Sequence, residues 1–247
     1  MPGSMLTNSG KQNRACQAVL LERGRARDHG GVRAGVAAGA GRAPNRLTFR
    51  SAVGYFNWHE QPGYWGDVVC HFAADARLLD VGCGSAWLAE HFEHYTGMDV
   101  SPEAVAEAHR RGRTVVQGKA GEPLPFADES FDGVVLKDVL EHVPDPVALV
   151  REARRVLRPG GLSFASSPDA QRWVWDDYTH RRPFSRKAFR LLFEDQGFRV
   201  ERAGYESVMP GTGIVSGWTR RKRRPRVLAA AAWLPIVRRN VWLLARR

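Results

Sequence analysis

The stretch Asp80-Val81-Gly82-Cys83-Gly84-Ser85-Ala86-Trp87 is followed, twelve residues past the indole, by Asp99 in Gly97-Met98-Asp99-Val100. Glycines after a short apolar run let the chain turn tightly and bring its backbone close to a ligand. A carboxylate at the end of the next strand offers two acceptor oxygens, enough for both hydroxyls of a ribose. These residues suit the holding of a nucleoside-containing cofactor.

Glycine spacing separates two classes of such cofactor. Dinucleotide sites use G-x-G-x-x-G, whose third glycine permits close packing of helix on strand. Trp87 stands at that third position and would obstruct the packing. The alternative spacing G-x-G-x-G maps onto Gly82, Gly84 and Ala86 with only a methyl group added. The loop therefore favours S-adenosylmethionine over a dinucleotide.

Alternating strands and helices must position these groups. Apolar runs predict strands over 77–81, 95–100, 114–117, 131–137, 162–166, 198–204 and 240–245. Helices are expected over 85–93, from Ser101-Pro102-Glu103 to about 111, from Asp145-Pro146 until Pro159-Gly160-Gly161 stops it, and over 185–196. Ser101 and Asp145 are N-caps followed by proline in the first turn, and Glu103 sits near the positive end of its helix dipole. Gly197 closes the last helix.

Further landmarks extend the pattern: Glu122-Pro123-Leu124-Pro125-Phe126, Ser130-Phe131-Asp132-Gly133-Val134-Val135, Leu140-Glu141-His142-Val143 and Leu157-Arg158-Pro159-Gly160-Gly161. With the glycine loop and Asp99, the span from about 77 to 167 resembles the class I S-adenosylmethionine-dependent methyltransferases. It is most similar to the small-molecule branch that includes the ubiquinone and menaquinone methyltransferases. The resemblance implies an α/β fold: a Rossmann-like, seven-stranded, mostly parallel sheet with helices on both faces and a C-terminal antiparallel strand. It also implies methyl transfer from S-adenosylmethionine to an O, N or C atom of a small-molecule acceptor. An RNA methyltransferase, or a cofactor-binding protein without methyl transfer, is the alternative.

Under that resemblance, Gly82 and Gly84 give backbone approach, Cys83 is a small filler between them, Asp99 takes the ribose hydroxyls and Val100 packs on adenine. Asp80 orders the loop or reaches the methionine ammonium, while Lys137 and Asp138 face the methionine portion. Relatives commonly carry Gly-Asp-Ala after strand 3, but this chain has Gly118-Lys119-Ala120-Gly121-Glu122. Lys119 has no acceptor for the adenine amino group, so the backbone near Ala120 or the Glu122 carboxylate must substitute. His142 and His180 are the candidate general bases. Acceptor contacts are expected from Tyr178, in the charged and aromatic segment 175–184, and from a helical lid over 47–75 bearing Tyr55, Trp58, His59, Tyr64 and Trp65.

Charge is unevenly spread over the 247 residues. The net charge of +11 resides in the ends: residues 1–50 hold nine Lys/Arg against two acids, residues 220–247 hold ten against none, and 51–219 is net −6. This argues against a continuous basic face of the kind that binds nucleic acid. Residues 1–46, rich in Gly, Ala and Arg, lack sustained periodicity and are expected to stay without a fixed fold; residues 47–247 form the methyltransferase domain. The apolar run 227–237 is too short to span a bilayer, so 205–239 is expected to be a basic insertion between the last two strands. Its part 220–239 is able to touch an anionic membrane surface. Three cysteines without C-x-x-C give no metal-ligand spacing, so no metal is expected, and a cytoplasmic setting fits. Oligomeric state is not legible.

Overall fold

Parallel strands covered on both faces need continuous apolar runs. Val134, Val135 and Leu136 supply one and have no exposed surface. The computed structural model describes residues 66–208 and 238–247. Its strands are β1 (Arg77–Val81), β2 (His94–Asp99), β3 (Val115–Gln117), β4 (Phe131–Lys137), β5 (Leu157–Pro168), β6 (Arg199–Val208) and β7 (Arg238–Arg246). They form one seven-stranded sheet in the order β3-β2-β1-β4-β5-β7-β6, with β7 antiparallel to β5 and β6. The expected sheet and its antiparallel C-terminal strand are thus present.

The chain divides into two compact units, one of Met1–Arg77 and Cys83–Gln117, the other of Leu78–Gly82 and Gly118–Arg247. In the described part of the first, a short helical turn α1 (Gly66–Val69) precedes an edge-to-face contact of Phe72 with Phe92. β2 and β3 are parallel, Asp99 lying opposite Gln117. Helix α2 (Pro102–Arg110) starts where expected, with Ser101 Oγ accepting the Ala104 N–H at 3.2 Å. It buries Ala104, Val105 and Ala108.

The helix expected over 85–93 is corrected to a single 3-10 turn, Trp87–His91. Ala86 before it is left-handed (φ 60°, ψ 50°) and Phe92 after it is extended, so an α-helix continues through neither. Trp87 instead lies under two guanidinium groups, with Arg113 and Arg111 at 5.2 and 5.8 Å from its ring centre.

In the second unit, β4 pairs in parallel with β1 and β5. Helix α3 (Pro146–Val156) is capped by Asp145 Oδ1, which accepts the Ala148 N–H at 3.0 Å, and it buries Leu149, Val150, Ala153 and Val156. Pro159 does not end this helix. The chain turns extended already at Leu157, which is fully buried opposite Phe131, and a residue before proline, here Arg158, is itself biased to extended backbone. Helix α4 (Arg186–Glu194) follows the Ser185 cap and buries Phe189 and Phe193. Gly197, at φ 80°, then lets the Phe198 N–H reach back to Phe193 O at 3.1 Å. Arg155 on α3 bonds the carbonyls of Leu124 and Phe126 and pairs with Glu152 and Asp128, which fixes the segment leading into β4.

The closest approach in the first unit is at Gly97. A Cβ there would lie 2.6 Å from Cys83 Sγ, 3.0 Å from Tyr95 Oη and 3.1 Å from Val115 Cγ2. Gly97→Ala is expected to lower unfolding stability by about 1–3 kcal/mol through overpacking. Adding Cys83→Ala removes the nearest clash, so in urea denaturation the double variant should recover part of that loss; strictly additive losses would show that the sulfur is not the obstacle.

Candidate functional site

The glycine loop of the first unit is fastened to β2 by its backbone. Cys83 N–H donates to Met98 O at 3.1 Å, and Gly84 N–H donates to Asp99 Oδ2 at 2.8 Å. Asp99 Oδ1 accepts the Ser101 N–H at 2.9 Å. Each oxygen has accepted one backbone donor and keeps further acceptor capacity. Burial raises the Asp99 pKa above the ordinary carboxylate value, against the opposing effect of N–H groups from Ser101, Gly84 and Val100. Val100 beside it is 60% exposed, an apolar surface left uncovered by the protein. Gly84 is left-handed at φ 53°, as is Ala86, so both positions aligned with glycines adopt backbone that glycine favours.

In the second unit, Gly82 is also left-handed (φ 76°), and a Cβ there would meet Val139 Cγ2 at 3.0 Å. Asp80 at the end of β1 and Lys137 at the end of β4 are buried. Asp138, directly after β4, adopts φ 52°. Three contacts hold it there: its N–H donates to Ser166 O at 3.0 Å, and its Oδ1 accepts from Ser166 Oγ at 2.9 Å and Asn240 Nδ2 at 3.3 Å. Lys119 is exposed and pairs with Glu122 at 3.1 Å. Both ends of that pair are solvated, so it contributes little to stability.

The two candidate bases, 38 residues apart in sequence, come together. Their ring centres are 4.7 Å apart. The loop that carries His180 is tied to the turn that carries His142, because Glu141 O accepts the N–H groups of Arg181 (2.8 Å) and Arg182 (3.3 Å). Asp177 Oδ1 orders the loop by accepting both the N–H and the Oγ1–H of Thr179, at 2.9 and 2.6 Å. Thr179 Oγ1, its proton committed to Asp177, accepts from His142 Nδ1 at 3.1 Å. His180 Nδ1 faces Val174 O at 2.6 Å, and a carbonyl only accepts. Both rings therefore carry hydrogen on Nδ1, and His180 Nε2 lies 3.9 Å from Asp177 Oδ2. Burial and the neighbouring His180 lower the His142 pKa, which keeps the ring neutral.

Glu141 completes the group. It has no exposed surface, and the Ser167 hydroxyl and its own backbone N–H are the hydrogen-bonding groups beside its carboxylate. Burial pushes its pKa well up, and the negative charges of Asp138 and Asp177 add to the shift. Among the described residues, Glu141, His142 and His180 are a trio whose donor atoms lie within 4.8 Å of one another.

Residues 79–165 match a family model described as a methyltransferase domain. Over that segment the chain is similar to methyltransferase domains. The cofactor of this domain class is S-adenosylmethionine. A ubiquinone biosynthesis O-methyltransferase of Xanthomonas oryzae pv. oryzae is 39% identical over 104 residues, covering 38% of this chain and 44% of that protein. One of Methylobacterium nodulans is 37% identical over 123 residues, covering 42% and 49%. The chain spans about half the length of the curated relatives it matches. Similarity of fold extends further: the crystal structure of a SAM-dependent methyltransferase from Archaeoglobus fulgidus covers 80% of this chain and 95% of its own, with TM-score 0.56 and 19% identity.

Of the residues expected at the methyltransferase site, Gly84, Asp99 and Val100 gather in the first unit, with Cys83 packed against Gly97. Asp80, Gly82, Lys137, Asp138, His142 and His180 belong to the second, as do Lys119 and Ala120. Tyr178 is 83% exposed on the His180 loop. Tyr55, Trp58, His59, Tyr64 and Trp65 lie outside the described residues, as does most of the basic insertion: β6 and β7 pair out to Val208 and Arg238, and 209–237 is not described. No helix among the described residues is long and apolar enough to cross a membrane. Sequence reasoning did not place Glu141, Asp177 and Thr179 beside the two histidines. The adjacency of Glu141 to His142 was a usable signal, whereas the role of Asp177 depends on the fold of its loop.

The backbone at Asp138 yields a stability test. Aspartate and asparagine tolerate φ > 0 better than alanine, and alanine also strips the partner from buried Ser166 Oγ. Asp138→Ala should cost about 1–3 kcal/mol in urea denaturation. Asp138→Asn, which keeps an acceptor and the turn, should cost clearly less.

Proposed function

We propose that this protein transfers the methyl group of S-adenosylmethionine to a hydroxyl oxygen of a small-molecule acceptor. The observation that carries the donor half is the Asp99 carboxylate, fastened by Gly84 and Ser101 beside exposed Val100. Such a carboxylate suits two ribose hydroxyls, and the apolar surface of Val100 suits the adenine ring. When bound, the cofactor supplies a methyl carbon already activated by its sulfonium. Gly84, left-handed at φ 53°, gives it close backbone approach. Lys119, engaged with Glu122, offers adenine no acceptor.

A displacement on an activated carbon asks the protein mainly to align the two reactants and exclude water. The acceptor half of the reading rests on the Glu141, His142 and His180 group, which activates the hydroxyl, and on the exposed rings of Trp175 and Tyr178 in the same loop. The relatives' description as O-methyltransferases supports oxygen as the methylated atom.

Incubating the protein with methyl-labelled S-adenosylmethionine and a small-molecule extract should give a labelled product of low mass. Absence of transfer together with undetectable cofactor binding would overturn the proposal. Binding without transfer to any acceptor would leave a cofactor-binding protein, and label in RNA would move the acceptor class.

Asp99→Ala should weaken cofactor binding by about a hundredfold, since hydrogen bonds to a charged group contribute roughly 1.5–3 kcal/mol. Binding should also depend on pH. The ribose hydroxyls donate to the ionised carboxylate, so affinity is full above the raised Asp99 pKa and falls as pH drops through it. Calorimetric titration at several pH values should show that step in the parent chain and none in Asp99→Asn.

A further inference from the structure

The two imidazoles at the acceptor end have unequal surroundings. His180 has both nitrogens turned to the protein: Nδ1 lies 2.6 Å from Val174 O and Nε2 lies 3.9 Å from Asp177 Oδ2, and the side chain is only 9% exposed. A proton taken up there is retained in an ion pair with Asp177. Among the described residues, His142 is engaged through Nδ1, which lies 3.1 Å from Thr179 Oγ1 and 3.4 Å from Thr179 O. The carbonyl only accepts, and the hydroxyl gives its own proton to Asp177 Oδ1 at 2.6 Å. Three side chains thus form a directed chain in which His142 donates to Thr179 and Thr179 donates to Asp177.

We propose that Asp177 and Thr179 are positioning residues that hold His142 with its Nε2 lone pair presented to the acceptor's hydroxyl proton, and that His180 supports this ring without sharing its role. Burial works to raise the Asp177 pKa, yet the Thr179 hydroxyl and N–H and the two imidazoles outweigh it and hold the carboxyl below its ordinary value. The chain therefore ends on an anion. Successive hydrogen bonds polarise one another, so a hydroxyl that donates to a carboxylate accepts more strongly from the next donor. An imidazolium formed at His142 is stabilised along that line, the role a third group plays for a base in acyl-transfer triads.

The inference deepens the methyltransferase reading at its acceptor end and rests on it only for the reaction served. Nε2 of His142 takes the hydroxyl proton. The acceptor oxygen bonds to the methyl carbon as the carbon–sulfur bond breaks, with the electron pair going to sulfur, and the imidazolium then gives its proton to water. Burial and His180 lower the His142 pKa, whereas Thr179 O, Asp177 and Asp138 oppose them, and Glu141 also stands beside the ring.

The test uses the full chain, isotopically labelled at the histidine nitrogens, with ring tautomers followed by NMR across pH. Methyl-label transfer into a small-molecule extract is measured on the same samples, and His142→Ala assigns the signal. In the parent chain His142 should be neutral with hydrogen on Nδ1. Thr179→Val should shift hydrogen toward Nε2 and slow transfer about tenfold or more, and Thr179→Ser, which keeps the hydroxyl, should restore both. Asp177→Asn leaves Thr179 an acceptor and removes the charge that favours the imidazolium, so the His142 titration and the rise of rate with pH should both move to lower pH. His142→Ala should cost more transfer than His180→Ala. Circular dichroism checks that the variants are folded, and if Asp177→Asn is not, the two changes at exposed Thr179 decide. Hydrogen on Nε2 in the parent, a tautomer indifferent to Thr179→Val, or a larger loss with His180→Ala would overturn the assignment. The expected tautomer shifts without transfer or S-adenosylmethionine binding in the parent would defeat only the methyltransferase reading.

Discussion

The Asp99 carboxylate is the tie on which the cofactor half of the molecule depends. Through 2.8 and 2.9 Å bonds it joins the glycine loop to the start of α2. The tie is possible only because β2 lets the loop come close. Gly97 has no Cβ, so Cys83 Sγ occupies that space and the Cys83 N–H reaches Met98 O. A side chain at residue 97 would push the loop away, and the Gly84 N–H would lose its acceptor. Burial works against the charge on Asp99, and the backbone donors work for it. Further donors from a ligand would act in the same direction, so a ligand that donates to the carboxylate is bound more tightly than the local packing alone suggests.

Asp138 does comparable work in the second unit. It also follows a strand directly, adopts a left-handed backbone that most residues avoid, and is held by Ser166 and Asn240. The turn it makes leads through Val139 and Leu140 to Glu141, whose carbonyl holds the loop at Arg181 and Arg182. A strained residue at the end of β4 thereby fixes where His180 stands. This is the usual logic of sites on α/β sheets, in which rigid strands deliver short loops whose backbone is set by hydrogen bonds.

What was legible in the sequence follows from the range of the interactions involved. Val134 to Leu136 announce a buried parallel strand by composition alone, and Ser101-Pro102 and Asp145-Pro146 announce helix starts, because both signals are local. The helix expected over 85–93 was misread because the left-handed backbone at Ala86 is imposed by the loop and not by alanine, which favours helix. β5 begins at Leu157 because a buried site opposite Phe131 accepts that leucine, a tertiary fact. The glycine spacing pointed to the right cofactor class, and Asp99 stands at the end of β2 as its position in the sequence predicted. The pairing of His142 with His180 was invisible, because it depends on the turn that Asp177 makes with Thr179 and on the carbonyl of Val174.

The loop between β5 and α4 combines exposure with order, and that combination bears on what it is for. Trp175 and Tyr178 are 57% and 83% exposed, so hydrophobic packing within the described residues does not account for their placement. Yet their backbone is held on both sides: Val174 accepts from His180, Asp177 turns the chain at Thr179, and Glu141 O secures Arg181 and Arg182. A loop kept merely to connect a strand to a helix needs no such fastening, and a floppy loop would lose affinity through the entropy of ordering on contact. Rigid aromatic rings left facing solvent next to a polar, buried group give large contact area at low entropic cost.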